Sequence, residues 1–393
     1  MTLDPARLRA QTPGCASVIH LNNAGAALPS EPVLRAVQDH LALEARIGGY
    51  EAQAQAAEAI ERFYPSAAAA VGGRPEEIAY VENATRAWDM VFYAFDWRPG
   101  DRILTARSDY NSNMIAYRQV ERRFGVELVL IPDDPSGAID LDALAAAVDR
   151  GARLIALTHL PTNDGLINPA EAVGAIARDA GVPFLLDACQ SVGHVPVDVG
   201  AIGCTMLSAT GRKYLRGPRG TGFLWVRQDW IDRLEPPFLD TRAAQWIAVE
   251  EYVIRPDARR FETWEFYVAG KIGLAHALDE LQALGIEAVW ERIDMLARRL
   301  RRALAAVPGV SVHDRGTRQS GIVTFTKAGE TADETRARLT AAGINCSLST
   351  VQLTRTDLIG SGTDVVVRAS VHAYNTEEEI DRAAAIVSDG AAG

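Results

Sequence analysis

The stretch that decides the fold reads Gly181-Val-Pro-Phe-Leu-Leu-Asp187-Ala-Cys-Gln190, followed by Ser208-Ala-Thr210-Gly211-Arg212-Lys213 and Gly217-Pro-Arg-Gly220-Thr-Gly222. The first segment predicts a buried strand that ends in an acid and an amide. The second predicts a turn that presents a hydroxyl group, an arginine and a lysine, and the third a glycine-rich exit loop. Lysine is rarely buried without a partner, and this pattern supplies an acid as the partner of Lys213.

These are the parts that hold pyridoxal phosphate (PLP). In PLP chemistry a lysine forms an imine with the cofactor, and a carboxylate keeps the pyridine nitrogen protonated so that the ring accepts electrons. We therefore predict that Lys213 and Asp187 are catalytic residues of a PLP-dependent enzyme.

Strands and helices alternate through the first half of the chain. The apolar pattern predicts strands at 77–81, 102–106, 126–131, 154–158 and 183–186, and helices at 31–47, 52–71, from 86, 112–124, 141–148 and 169–180. Apolar strands that alternate with helices predict a mostly parallel sheet covered by helices on both faces. Ligands of such sheets bind at the carboxyl ends of the strands, where Thr85, Tyr110 and Asp187 fall.

The pattern changes after about residue 250. Long helices at 268–284 and 286–307 precede strands at 310–312, 321–325 and 365–368, with helices at 332–342 and from 376. We predict an N-terminal segment (1–20) that joins the small domain, a large PLP-binding domain (21–255) and a small C-terminal α+β domain (256–393). A chain of this length is expected to form more than one domain.

Composition excludes several classes of partner. The formal net charge of −11 argues against binding to nucleic acid or to an anionic membrane surface. No apolar run long enough for a membrane-spanning helix and no signal peptide is recognised. The four cysteines show no metal-binding or disulfide spacing, so we predict no metal and a cytoplasmic location.

The chain resembles the class V aminotransferase group of fold-type I PLP enzymes, which includes cysteine desulfurases, selenocysteine lyases and isopenicillin N epimerase. The resemblance rests on His20-Leu-Asn-Asn-Ala24-Gly, on the Asp187–Gln190–Lys213 core and on Arg368-Ala-Ser-Val-His-Ala-Tyr-Asn-Thr376. It implies a seven-stranded sheet and a homodimer with the active site near the subunit interface. Ile47-Gly-Gly-Tyr50 and Arg259-Arg-Phe-Glu262, together with the Lys213 turn, are similar to the C–S lyase of ergothioneine biosynthesis.

The resemblance also implies roles for individual residues. Gln190 and Thr162 would lie beside the phenolic oxygen of the cofactor. Tyr110 would stack on its ring and is predicted to be a third catalytic residue. The phosphate would lie at a helix start, and its predicted ligands are Ala84, Thr85, Thr210 and Arg212. Arg368 would bind the α-carboxylate of the substrate in a two-pronged contact, with Asn23 as a further substrate contact.

Three positions depart from the desulfurase pattern. The nucleophilic cysteine of desulfurases is expected near Gln352, whereas Cys346 comes several residues too early and is predicted to be a buried strand residue. In the segment Phe261-Glu-Thr-Trp264-Glu265-Phe266-Tyr267, Glu265 replaces a threonine that in relatives reaches the phosphate of the neighbouring subunit's cofactor. Either Arg212 or Arg216 balances its charge, or the segment shapes the substrate pocket with Trp264, Phe266 and Tyr267. Asn22 replaces an aspartate.

These departures favour a lyase that expels its leaving group directly. We predict Cα deprotonation of an amino acid followed by β-elimination, with C–S cleavage of a cysteine-derived substrate. A class V aminotransferase and an amino-acid epimerase remain alternatives, because they share the first proton transfer. A non-catalytic protein that kept the fold is the alternative from a different class.

Overall fold

A computed structural model describes residues 3–351, 355–358 and 364–389. The strands are β1 (Ile19–His20), β2 (Ile78–Val81), β3 (Arg102–Ala106), β4 (Glu127–Ile131), β5 (Leu154–Thr158), β6 (Phe184–Asp187), β7 (Met206–Thr210), β8 (Gly222–Val226), β9 (Ala244–Ala248), β10 (Glu251–Ile254), β11 (Val310–Val312), β12 (Ile322–Lys327), β13 (Ile344–Asn345), β14 (Ser347–Thr350) and β15 (Val365–Ser370).

The α-helices are α1 (Pro5–Ala10), α2 (Glu31–Ile47), α3 (Gly49–Gln55), α4 (Ala57–Glu61), α5 (Phe63–Val71), α6 (Ala84–Phe92), α7 (Asn111–Phe124), α8 (Leu141–Val148), α9 (Ala170–Asp179), α10 (Val199–Ile202), α11 (Gln228–Ile231), α12 (Val268–Leu284), α13 (Ile286–Ala305), α14 (Ala332–Ala341), α15 (Arg355–Leu358) and α16 (Glu377–Ser388). None of those in the described ranges is long and apolar enough to cross a membrane.

The central sheet has seven strands in the order β2-β8-β7-β6-β5-β3-β4. Strand β8 runs antiparallel to both of its neighbours, and the other adjacent pairs are parallel. The predicted α/β fold with a mostly parallel sheet is therefore confirmed. In the register, Thr158 pairs with Asp187 and Asp187 pairs with Ser208, so the carboxyl ends of three central strands meet.

Both faces of this sheet are covered. Along β5, Leu154 and Ala156 belong to one apolar core, whereas Ile155 and Leu157 belong to the core on the other face. Successive strand residues point to opposite faces, so a continuous apolar run is what a doubly covered strand requires. This burial fixes the strand register that carries the polar side chains at the strand ends.

The C-terminal part forms a second, antiparallel sheet in the order β11-β12-β15-β14, flanked by α13, α14 and α16. Strand β1 pairs in parallel with β13, through Ile19 with Ile344 and His20 with Asn345. Helix α12 packs against α2 and α5. The predicted domain limits at 20 and 255 stay a prediction; the β1–β13 pairing supports the first, whereas the packing of α12 favours a second limit after that helix.

Several local predictions differ from the structure. The single helix predicted over 52–71 is three short helices, α3 to α5. Pro65 lies in the first turn of α5, where its missing N–H costs nothing, so a new helix begins just before it. The predicted strands do not include β7 and β8, because these segments flank Lys213 and their motif indicates a binding loop. The exposed β9–β10 hairpin and β14 were also missed.

Candidate active site

A cavity of ≈ 170 Å³ lies where the carboxyl ends of β5, β6 and β7 meet the start of α6. Nine of the predicted cofactor residues line it: Ala84, Thr85, Tyr110, Thr162, Asp187, Gln190, Thr210, Arg212 and Lys213. The sequence therefore predicted a group of residues, distant in the chain, that the fold brings into one cavity.

Asp187 ends β6 and is buried. Its Oδ1 accepts a hydrogen bond from the Cys189 N–H at 2.9 Å, and its Oδ2 accepts one from Asn113 Nδ2 at 3.1 Å. Burial raises the pKa of Asp187, while the Cys189 N–H and the charge of Lys213 oppose that rise. A buried carboxylate of this kind gains from a cationic partner.

Lys213 follows β7 and is only 8% exposed. Burial lowers the pKa of its ammonium group, and the nearby arginines Arg212 and Arg368 lower it further. The loop that carries Lys213 is held firmly: Arg216 adopts a left-handed backbone (φ 63°), and its guanidinium binds the Leu28 carbonyl. A lysine that loses its proton easily in a fixed position is suited to bond a carbonyl carbon or to act as a base.

The start of α6 forms one end of the cavity. The Asn83 side chain caps the helix by accepting from the Arg86 N–H at 2.9 Å. The cap is therefore Asn83, and Thr85 lies in the first turn, where helical N–H groups have no intrahelical partner. At Gly222 a Cβ would lie 2.6 Å from the Ala209 carbonyl oxygen and 3.0 Å from Asn83, so only glycine lets β8 pass this close to the helix start.

Arg368 does not line the cavity but reaches its edge. Its guanidinium donates to the side chain of Thr162 and, at 3.3 Å, to the Thr162 carbonyl. Thr162 Oγ1 also accepts from Gln190 Nε2 at 3.3 Å. Among the described residues, Gln190 Oε1 and Arg368 Nε are buried without a hydrogen-bond partner, so both are free to bind a ligand.

Asn23 lies apart from this cavity. Its side-chain amide donates to the carbonyl groups of Ser370 and His20, and its oxygen accepts from Tyr374. Its predicted contact with the substrate stays a prediction, although these bonds already occupy both ends of the amide. The neighbouring Asn22 accepts from Arg368 at 3.4 Å and is better placed.

Tyr110 and Arg212 lie at the cavity wall. Tyr110 precedes α7 and is 36% exposed, so one face of its ring is accessible. Arg212 donates to the carbonyl group of Gly25. Their predicted roles, ring stacking and phosphate binding, stay predictions.

Several residues of this cavity were not among the predicted site residues, for example Asn83, Asn113, Thr158 and Cys189. Asn113 lies one turn into α7, three positions after Tyr110, and this helical spacing was the available signal. Cys189 lies beside Asp187 and Lys213, and burial raises the pKa of its thiol.

The segment that departs from the desulfurase pattern lies elsewhere. Trp264, Glu265 and Tyr267 line an open cavity of ≈ 670 Å³ together with Tyr50 and Arg242. In the described part of the chain no ion pair joins Glu265 to Arg212 or Arg216, and Arg216 instead approaches Glu280 at 3.6 Å. The suggested charge compensation by these two arginines is therefore not found within one chain.

Cys346 lies between β13 and β14 and is partly buried rather than a fully buried strand residue. Burial raises the pKa of its thiol to about 11. The position near Gln352, where a desulfurase nucleophile was expected, lies outside the described residues.

The residues present fit PLP. One cavity holds an acid for the pyridine nitrogen, a lysine for the aldehyde, an unpartnered amide oxygen and a helix start for the phosphate. No cluster of metal-binding side chains occurs in the described ranges.

Comparisons with known proteins agree with this assignment. The family model "Aminotransferase class-V" matches residues 19–383. A probable cysteine desulfurase of Methanothermobacter thermautotrophicus is 27% identical over 92% of each chain, and the cysteine desulfurase of Salmonella agona is 30% identical over 85% of this chain and 83% of its own. The apo structure of a cysteine desulfurase from Thermococcus onnurineus NA1 superposes with a TM-score of 0.91 at 25% identity, over 99% of this chain and 98% of that one. The predicted fold, PLP dependence and class of enzyme are confirmed, and the chain belongs to the aminotransferase class-V family.

Proposed function

We propose that this enzyme is a PLP-dependent C–S lyase that acts on a cysteine-derived amino acid. The observation that carries the proposal is the buried pair of Asp187 and Lys213 in one cavity, with Arg368 at its edge. When bound, PLP withdraws electrons from the Cα of an amino acid, which makes its proton acidic. The other elements of the reaction come from side chains of this protein.

Each side chain has one task in this proposal. Asp187 holds the pyridine N–H, and Gln190 forms a hydrogen bond with the phenolic group of the cofactor. Thr85 and Thr210 bind the phosphate together with the first N–H groups of α6. Tyr110 packs against the ring, where aromatic stacking on a cationic ring is favourable. Ala84, Arg212 and Thr162 complete the cofactor contacts.

Lys213 moves the proton. Because burial lowers the pKa of its amine, the neutral base is easier to form at Lys213 than on an ordinary lysine. In the proposed reaction it takes the proton from the substrate Cα, after which the bond from Cβ to sulfur breaks and the electron pair leaves with the sulfur. Arg368 orients the substrate by binding its carboxylate through the guanidinium group.

Direct departure of the sulfur is supported by the state of Cys346. A thiol with a pKa of about 11 is almost entirely protonated at neutral pH, and the thiolate is the nucleophile. Cys346 is therefore a poor acceptor of sulfur, and the proposal needs no persulfide on the enzyme.

We further propose a homodimer in the cytoplasm. The exposed aromatic side chains Tyr50, Trp264 and Tyr267 surround one open cavity, and a large exposed apolar patch is typical of an interface. All four cysteines are free, which suits a reducing compartment. Size-exclusion chromatography with light scattering tests the dimer: a monomer at micromolar concentration would contradict it.

The reaction is tested by incubating the PLP-loaded enzyme with S-substituted cysteines and measuring pyruvate and ammonia. The proposal predicts both products in equal amounts, and their loss in Lys213→Ala. Absence of pyruvate with accumulation of pyridoxamine phosphate would instead identify an aminotransferase. Exchange of the Cα proton for deuterium without net turnover would identify an epimerase.

A further inference from the structure

A buried hydrogen-bond network lies behind Asp187. The side-chain amide of Asn113 donates to Asp187 Oδ2 and to Asp109 Oδ1, each at 3.1 Å. Asp109, Asn113 and Asp187 are 2%, 2% and 5% exposed. One amide group therefore joins two buried carboxyl groups, and only one of these carboxyls has a task in the proposed reaction.

Asp109 is surrounded by donors. Its Oδ2 accepts from Thr105 Oγ1 at 2.6 Å and from the Tyr117 hydroxyl at 2.8 Å. Its Oδ1 accepts from Thr158 Oγ1 at 2.5 Å and from the Tyr110 N–H at 2.6 Å. An ionised carboxylate accepts hydrogen bonds at both oxygens and donates none, so this set of partners suits the charged form of Asp109.

The same carboxylate connects three elements of the active site. Through the Tyr110 N–H it fixes the start of α7, through Thr158 it fixes the end of β5, and through Asn113 it reaches the end of β6. Its negative charge also acts on Asp187, whose pKa it helps to raise. A second buried negative charge near Asp187 favours the protonated, positively charged form of a group that binds to Asp187.

We propose that Asp109 and Asn113 are positioning residues for the cofactor: Asn113 aims Asp187 at the pyridine nitrogen, and Asp109 holds Asn113 and adds the charge that keeps this nitrogen protonated. The inference rests on the proposed cofactor contact of Asp187. Neither residue touches the reacting atoms, so both act through Asp187. In metal sites, residues that hydrogen-bond a metal ligand orient that ligand and tune its properties in the same indirect way.

The test compares Asp109→Asn and Asn113→Ala with the wild type and with Asp314→Asn. Asp314 is a matched control, because its buried carboxylate also accepts several hydrogen bonds, from Gly165, Thr324 and Arg301, but does not line the cofactor cavity. Three quantities are measured: the melting temperature of the apoprotein, the dissociation constant of PLP and the pH at which the absorption band of bound PLP changes.

We expect PLP to bind about tenfold more weakly to Asp109→Asn and Asn113→Ala, as for the loss of one hydrogen bond to a charged group. The pH midpoint of the absorption band should fall in Asp109→Asn, since removal of a negative charge weakens the hold on a proton. The charged and titratable groups that share this site are Asp187, Lys213, Cys189, Tyr110, Tyr117, Arg212 and Arg368. Asp314→Asn should change only the melting temperature.

The inference is overturned if Asp109→Asn and Asn113→Ala lower the melting temperature as Asp314→Asn does, while the PLP affinity and the pH midpoint stay at wild-type values. Asn113→Ser provides a second, smaller change should Asn113→Ala not fold. Failure of the wild type itself to bind PLP would instead overturn the proposed function, so the two failures are distinguishable.

Discussion

Replacement of Arg368 by methionine separates function from stability. Arg368 is buried, and burial lowers the pKa of its guanidinium. Among the described residues no carboxylate lies within ion-pair distance of it, and its Nε has no partner. A buried cation without a counter-charge costs free energy of folding. We therefore expect the substrate carboxylate to supply the missing counter-charge when it binds to Arg368.

The expected effect follows from the contacts. A two-pronged contact with a carboxylate comprises two hydrogen bonds to charged groups, each contributing about 1.5–3 kcal/mol. Arg368→Met should therefore lower kcat/KM by on the order of 10²–10⁴-fold. The free energy of unfolding of the apoprotein should stay equal or rise by about 1 kcal/mol, because a buried charge is replaced by an apolar side chain of similar length.

The assay measures pyruvate formation, thermal unfolding and PLP absorbance in parallel. PLP binding should be retained, since Arg368 does not line the cofactor cavity. Arg216→Met is the matched control: this buried arginine binds Leu28 and Thr12, so its loss should lower stability first. If Arg368→Met kept kcat/KM within about twofold of the wild type, Arg368 would not be the residue that binds the substrate carboxylate.

Three further outcomes are expected. Burial lowers the pKa of Lys271 from 10.5 to about 8, so between pH 8 and 10 the folded state binds fewer protons than the unfolded chain. As the pH rises from 8 to 10, the free energy of unfolding of the wild type should therefore increase relative to that of Lys271→Met, by up to about 1.4 kcal/mol per pH unit. Chemical denaturation at each pH measures this difference. Gly174→Ala should destabilise the protein by at least about 1–3 kcal/mol, because its Cβ would lie 1.7 Å from the Ile202 carbonyl oxygen, and its melting temperature should fall below that of the wild type. Cys346→Ala should keep C–S lyase activity within about twofold, because the protonated thiol takes no part; loss of activity, or a persulfide on Cys346 in mass spectra, would contradict the direct elimination.

The alternation of strands and helices was predictable because burial on both faces makes β5 and β6 apolar up to their last residues, Thr158 and Asp187. The position of Asp187 at a strand end then follows from the sheet rule for ligand sites. Lys213 could be assigned because its neighbours form a local motif. These features depend on residues close together in sequence, which is why the sequence alone contains them.

The remaining features depend on contacts between distant residues. The bond from Asn113 to Asp187 joins two elements that are adjacent only after the sheet has formed. The β9–β10 hairpin is exposed, with Trp246 and Val249 pointing to solvent, so it lacks the buried alternation by which a strand is recognised. Asn22 rather than Asn23 contacts Arg368. The conformation of the turn after β1 determines which of these two identical side chains faces the site.

The proposed reaction depends on a covalent bond between Lys213 and the cofactor. The chain has three lysines, Lys213, Lys271 and Lys327, and all three are buried. Solvent accessibility therefore does not show which lysine bonds PLP, and the modified position must be located in the sequence. Reduction of the PLP-loaded enzyme with borohydride, followed by digestion and mass spectrometry, locates the modified lysine. We expect one phosphopyridoxyl group on the peptide that contains Lys213, and none in Lys213→Ala. Modification of Lys271 or Lys327 instead, or no modification of a protein that binds PLP, would contradict it.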